Sequence, residues 1–365
     1  MLQAPFFDPL RSYEDNYDQG PFGAFADDDM FEQVGEPAHD FHGHKVYAPL
    51  GIPAGPLLNS AYCAAAFKKG FDIAVYKTVR SGIFPSHPFP NVLAIHPEGD
   101  LDFETLKHPV IADATYTEPL SITNSFGVPS KEASVWQADV KKAIAAAGKG
   151  QVLVLSFMGT VHPNQSQQEF VDDYVLAAKL AYETGAPVLE TNLSCPNIGN
   201  EGLVCYNLDV TEQVAKGIRS VIGDTPLILK VGYYTRKGTG NDDAEMEKLG
   251  EITQAYATGV SGINTLQAEV RDTAGNQALP GSPARLRSGV CGTGIKWAGI
   301  DFVKRMRAIK ERRGFTFSLE GVGGVTLPSD YKEYRDAGAD VVMSATGAMW
   351  NPYLAQEIKE AYPNA

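Results

Sequence analysis

A chain of 365 residues, 44% of them hydrophobic, can bury a large core, and α/β barrels reach this size as single domains. The formal net charge of −13 and pI of about 5.0 argue against nucleic acid as a partner, because holding phosphates requires a basic face. No apolar stretch approaches the length of a membrane helix, and the start, MLQAPFFDPLRSYEDNYDQG, lacks the basic end and apolar core of a secretion signal, so the cytoplasm is the expected compartment.

Residues 1–45 read as an extension distinct from the domain at 46–365. Arg11 is the only basic residue before Lys45, and Asp27, Asp28 and Asp29 stand among Gly, Pro and Phe. Its aromatics (Phe6, Phe7, Phe22, Phe25, Phe31) are expected to wrap an irregular or partly helical segment onto the domain. His39, His42 and His44 suit a metal by residue type. No carboxylate or thiol cluster completes such a site, so the segment reads as solvated and polar.

From about Tyr47 short apolar runs alternate with longer amphipathic segments. The runs are Gly51–Gly55, Ile73–Lys77, Val152–Ser156, Val188–Asn192, Leu227–Val231, Gly262–Thr265, Phe315–Glu320 and Val341–Ser344. They are short and apolar or β-branched, as buried parallel strands are. Between them Ser166–Thr184, Thr211–Val221, Asp242–Thr258, Ile300–Arg312 and Ser329–Ala337 read as helices, with Gly185, Gly259 and Gly338 as C-caps. The alternation fits a closed barrel or a doubly wound sheet, and the count of eight selects a (β/α)8 TIM barrel. One further strand-like run, Leu120–Asn124, falls in a long excursion, Arg80–Ala146, expected to cross the C-terminal face.

That face is where barrel enzymes place their sites. Lys77, Thr78, Asn192, Lys230, Asn264 and Thr265 all end apolar runs there. Each alone reads equally well as a strand's polar exit; together they point to a site. Glu320-Gly321-Val322-Gly323-Gly324 and Ala345-Thr346-Gly347 follow the last two strands, where barrels bind phosphate. No G-x-G-x-x-G opens a helix after the first strand, which disfavours a dinucleotide fold.

The cysteines are Cys63, Cys195, Cys205 and Cys291; no C-x-x-C pair suggests zinc or a redox disulfide, and no cluster suggests an iron–sulfur centre. Reduced, buried thiols are the default for such a chain. Cys195 stands out because it follows the fourth strand directly and precedes Pro196 and a Gly-containing loop. From spacing alone it is either a structural thiol or an acid/base near neutral pH.

The segment NLSCPN (192–197), with GIPAG (51–55), VYKTV (75–79), NSFGVPS (124–130), LILKVGY (227–233), GINT (262–265) and EGVGG (320–324), resembles the dihydroorotate dehydrogenase family, in the family's order and over roughly residues 50–350. The resemblance implies a barrel holding FMN and oxidising dihydroorotate to orotate. A cysteine at the base position resembles the soluble class. It implies that Ala54 and Gly55 lie against the flavin and that Lys77 touches both flavin and substrate. Thr78, Asn124 and Asn192 would bond the flavin, Lys230 would face its pyrimidine end, and Gly292, Gly323, Gly324, Ala345 and Thr346 would complete the cofactor site around the phosphate. Asn124, Gly127, Val128, Asn197, Asn264 and Thr265 would hold the substrate. Cys195 would take a proton from C5 while C6 gives hydride to the flavin.

Phe126 and Ala345 depart from the family's usual Met and Gly, and Asn200–Leu208 differs from its loop. Two other readings stay open: an FMN-dependent paralogue acting on another cyclic amide or pyrimidine, and a non-redox barrel that binds a phosphorylated ligand. The resemblance also implies a homodimer, no metal and no membrane partner. It leaves the electron acceptor open between fumarate and NAD through a partner subunit, with a quinone less favoured.

Overall fold

A computed structural model describes residues 2–194, 202–235, 243–281 and 285–363. Eight parallel strands close into a barrel: Leu50–Ile52, Ile73–Val79, Val152–Phe157, Val188–Asn192, Leu227–Lys230, Gly259–Gly262, Ser318–Val322 and Val341–Met343. Each pairs with the next in sequence, and the last closes on the first, with Val342 opposite Leu50. Nearly every residue of these runs is buried, as a sheet with helices outside and side chains inside requires.

Strand alternation sorts the side chains into two cores. Ile73, Val75, Val152, Val154, Val188, Ile228, Val341 and Met343 fill the barrel interior. Alternate residues such as Ala74, Tyr76, Leu153, Leu155, Leu227 and Leu229 face the helices. The helix Gln167–Tyr182 shows how local sequence sets these boundaries. The Ser166 hydroxyl accepts from Glu169 N at 3.3 Å, and the Glu169 carboxylate accepts from Ser166 N at 2.8 Å, closing a capping box.

Several expectations need correction. The sixth strand is Gly259–Gly262, not Gly262–Thr265, and Gly259 therefore begins a strand instead of capping a helix. Its helix ends earlier, at Tyr256. The Arg80–Ala146 excursion is shorter than expected, because Ala133–Ala146 is the regular barrel helix before the third strand. A second excursion was not foreseen: Leu266–Arg271 and Arg287–Gly292 form strands after the sixth barrel strand.

The two excursions build one object. Val92–Ile95, Val110–Asp113, Ser121–Asn124, Leu266–Arg271 and Arg287–Gly292 close into a second, five-stranded barrel. This roof is antiparallel apart from one pair, Val270–Arg271 with Val110–Ile111. Its Ser121–Asn124 strand matches the extra run read from sequence.

The N-terminal segment is ordered by its aromatics, with Phe6, Phe7 and Phe25 almost fully buried. It contains a helix, Tyr13–Gln19, and a hairpin, His39–Phe41 with His44–Val46, whose Phe41 and Val46 enter the barrel's inner core. The expected division at residue 45 falls within this hairpin. The solvated reading fails at His42, whose side chain is 2% exposed and packs against Gly259 at the barrel's N-terminal end.

Candidate active site

The barrel strands and the roof enclose a cavity of about 350 Å³, within the range of small-ligand sites. From the barrel side it is lined by Ala54, Gly55, Lys77, Thr78, Asn192, Lys230, Ala345 and Thr346. Asn124, Gly127, Val128, Asn264 and Thr265 line it as well. The fold thus gathers these residues, from six barrel-strand ends, one roof strand and the loop after it, around a single space. Cys195 and Asn197 lie outside the described residues, but Asn192 and Ser194, just before them, line the cavity.

Gly292, Gly323 and Gly324 adjoin the wall without forming part of it. Gly324 has φ +71°, and a Cβ there would come within 2.9 Å of the Gly292 carbonyl oxygen. The glycine is needed where these two turns meet. Gly55, by contrast, opens onto space: a Cβ built there meets no atom within 4 Å, so its bare backbone leaves a shelf in the cavity wall.

Lys77 is buried, and its ammonium donates to the carbonyls of Thr78, at 2.7 Å, and of Pro129. Burial and then the nearby Arg80 guanidinium push its pKa down to about 7. Below that pH the group is a desolvated cation, suited to receive an anion. Thr78 Oγ1 and Ser156 Oγ lie 3.0 Å apart. The Asn192 side-chain oxygen accepts from Ser194 N at 3.0 Å, which fixes the amide. Lys230 Nζ reaches towards Ala54 O at 3.4 Å, at the floor. On the roof Asn124 Nδ2 lies 3.4 Å from Cys291 Sγ; burial raises the pKa of that thiol.

Three contributors escaped sequence reasoning. Arg80 donates to Val128 O at 2.9 Å, Gly127 O at 3.1 Å, Gly159 O at 3.2 Å and Thr160 Oγ1 at 3.0 Å. It clamps a loop in which Val128 holds φ +53°, a conformation β-branched residues avoid. The only sequence signal was its place just after the VYKTV run. Phe7 and Tyr13 also line the cavity from the N-terminal segment. Nothing local marked them, because only the chain's long-range path brings them there.

Among the described residues no group of three or more His, Cys, Asp or Glu could hold a metal ion, and no helix is long and apolar enough to cross a membrane. Polar side chains converging on a cavity at the C-terminal ends of a closed (β/α)8 barrel define an enzyme scaffold. The family model for dihydroorotate dehydrogenase matches residues 107–364. A dihydroorotate dehydrogenase of Dictyostelium discoideum is 36% identical over 98% of this chain and 97% of its own length. The catalytic subunit of dihydroorotate dehydrogenase B (NAD(+)) from Brachyspira hyodysenteriae is 29% identical over 53% of the chain and 60% of its own length. The PreA subunit of the NAD-dependent dihydropyrimidine dehydrogenase of Escherichia coli K12 is 24% identical over 87% of the chain and 69% of its own length. The chain belongs to the dihydroorotate dehydrogenase family and is an oxidoreductase.

Proposed function

We propose that this chain holds FMN in the cavity and oxidises dihydroorotate to orotate, with Cys195 as the base. The observation that carries the reading is the convergence of Lys77, Thr78, Asn192 and Lys230 on one cavity with the open shelf at Ala54 and Gly55 and with Asn124, Asn264 and Thr265. A flat ring system suits the shelf, where a larger side chain would fill the space. Two lysines facing one cavity suit a ligand pair carrying negative charge.

Bound FMN would supply the hydride acceptor. The chain's own residues do the rest. Lys77 and Lys230 balance negative charge at the two ligands, while Thr78 and Asn192 hydrogen-bond the flavin. Gly323, Gly324, Ala345 and Thr346 would hold the cofactor's phosphate end, with Gly292 beside them. Asn124, Asn197, Asn264, Thr265 and the Gly127–Val128 backbone orient the planar substrate; such amides and hydroxyls match a ring with alternating donors and acceptors. Cys195, as the thiolate, takes the proton from C5 of dihydroorotate as a hydride leaves C6, so the substrate loses two electrons and two hydrogens in all. A second substrate, or a separate electron-transfer subunit, removes the electrons. The assembly is a homodimer and the compartment the cytoplasm.

Anaerobic addition of dihydroorotate to FMN-loaded protein should bleach the flavin and yield orotate. Cys195→Ala should keep FMN but slow bleaching by orders of magnitude. Flavin uptake with no response to dihydroorotate would point to a paralogue with another substrate. Failure to take up FMN would overturn the redox reading altogether.

A further inference from the structure

Beneath the cavity the barrel axis holds ionisable side chains that the proposed reaction leaves unused. Glu190 lies on the fourth strand, two residues before Asn192, with Ser156 and Ile228 as its register neighbours. It is fully buried, and neither carboxylate oxygen has a hydrogen-bond partner among the described residues. Glu320, on the seventh strand, is also fully buried. One of its oxygens has no partner, and the other lies 3.4 Å from Nε2 of His42. Lys230 stands above, two residues beyond Ile228, with its ammonium at the cavity floor.

An ionised carboxylate with no hydrogen bond in a dry interior is costly, whereas the neutral acid is tolerated far more readily. Burial drives the Glu190 pKa up; attraction to Lys230 and the neighbouring Ser156 hydroxyl oppose this, and repulsion by Glu320 adds to it. The charged groups acting on Glu190 are Lys230 from the fifth strand and Glu320 from the seventh; His42, from the N-terminal hairpin, meets Glu320 instead. The third and sixth strands contribute only the hydroxyls of Ser156 and Ser261.

The charge on Glu190 decides what Lys230 can do. An ionised Glu190 would neutralise Lys230 from below, whereas a protonated one leaves the ammonium's field directed into the cavity. We propose that Glu190 is a positioning residue for the redox step, kept as a neutral acid so that the Lys230 charge serves the flavin when it is reduced. This rests on the FMN reading above. Glu190 acts through Lys230, touches neither ligand, and makes the flavin potential depend on its own protonation.

Two measurements test this. In ligand-free protein, the infrared difference between wild type and Glu190→Gln at neutral pH should contain a protonated-carboxyl band; a carboxylate band in its place overturns the proposal. In FMN-loaded protein, the wild-type midpoint potential should fall more steeply with pH once Glu190 ionises. Glu190→Gln should lack that break and keep the value set by the neutral acid. Glu320→Gln, which removes the repulsion, should move the break to lower pH. Glu190→Gln potentials that track wild type at every pH would also overturn it. Should Glu190→Gln fail to fold, Lys230→Met replaces it in the titration; persistence of the break there refutes the coupling. A protein that takes up no FMN yet shows the protonated-carboxyl band would sink the FMN reading and the redox role with it, leaving only the neutral state of Glu190.

Discussion

The ring of Phe7 meets that of Phe126 edge-on, with centroids 5.5 Å apart. Tyr13 packs on the same ring at 6.1 Å. The N-terminal segment is thereby fastened to the loop that carries Gly127 and Val128, and Phe126 is large enough to reach it where a Met would present no ring edge. Phe7→Ala should lower stability by about 3–5 kcal/mol, the usual loss for a buried Phe, and should also weaken orotate binding. Phe126→Met should cost less than about 1.5 kcal/mol. Urea unfolding and orotate titration measure the two effects. Unchanged orotate affinity in Phe7→Ala would limit the segment to a structural role.

Lys77 should make anion binding depend on pH. With its pKa pushed down to about 7, it is charged below that value and neutral above it. Orotate affinity should therefore fall as pH rises through about 7, and the dependence should vanish in Lys77→Met along with much of the affinity. The sign for stability is the reverse. A lysine with a depressed folded pKa disfavours the fold wherever it must be charged. Lys77→Met should thus stabilise the ligand-free protein, most below pH about 7, with the gain fading as pH approaches the ordinary lysine range. A pH-independent orotate Kd in wild type would contradict this account.

Lys359 and Asp72 meet at 2.7 Å and tie the C-terminal helix to the start of the second barrel strand. Asp72 is fully buried and accepts further bonds from Ala48 N, at 2.6 Å, and Gln33 Nε2, at 2.8 Å. Burial raises its pKa to about 6 despite the lysine. Removing one partner of a buried pair costs about 3–5 kcal/mol, so Lys359→Met should be strongly destabilised at neutral pH. The raised folded pKa means that the ionised carboxylate penalises the fold. The deficit should shrink as the pH falls and Asp72 takes up a proton. Denaturant midpoints across that range provide the check.

Ala54→Leu should fill the shelf beside Gly55 and abolish FMN uptake while the thermal transition of the ligand-free protein stays near that of wild type. Flavin absorbance per chain after reconstitution reads the result. Full flavin occupancy in this variant would move the cofactor away from that wall.

Seven barrel strands were legible because runs such as Val152–Phe157 are apolar but for one residue, Ser156, and bounded by turns. The sixth was not, since Gly259-Val260-Ser261-Gly262 carries one large apolar side chain, and the neighbouring GINT run looked more like a strand. Its position is set by pairing with Ile228 and Ser318, which no local pattern reveals. The Ala133–Ala146 helix was hidden because only Trp136, Val140 and Ala143 are buried along it. The barrel side of the cavity was readable as polar residues at strand ends. Arg80, Phe7 and Tyr13 were not, because their function depends on contacts made far along the chain. His42 and Glu190 belong with them: a polar residue in a sequence gives no sign that it will end up in a dry interior.

The roof has a consequence for how the molecule comes into being. Thr123 and Ser288, whose hydroxyls touch within it, are 165 positions apart along the chain. During synthesis six barrel strands would emerge before the second half of the roof exists, and non-local pairing of this kind is slow. Until Arg287–Gly292 joins Ser121–Asn124 the nascent chain has a floor for its ligands and no ceiling. Ligand capture should therefore be among the last events of maturation, and a chain ending before residue 287 should retain none of it.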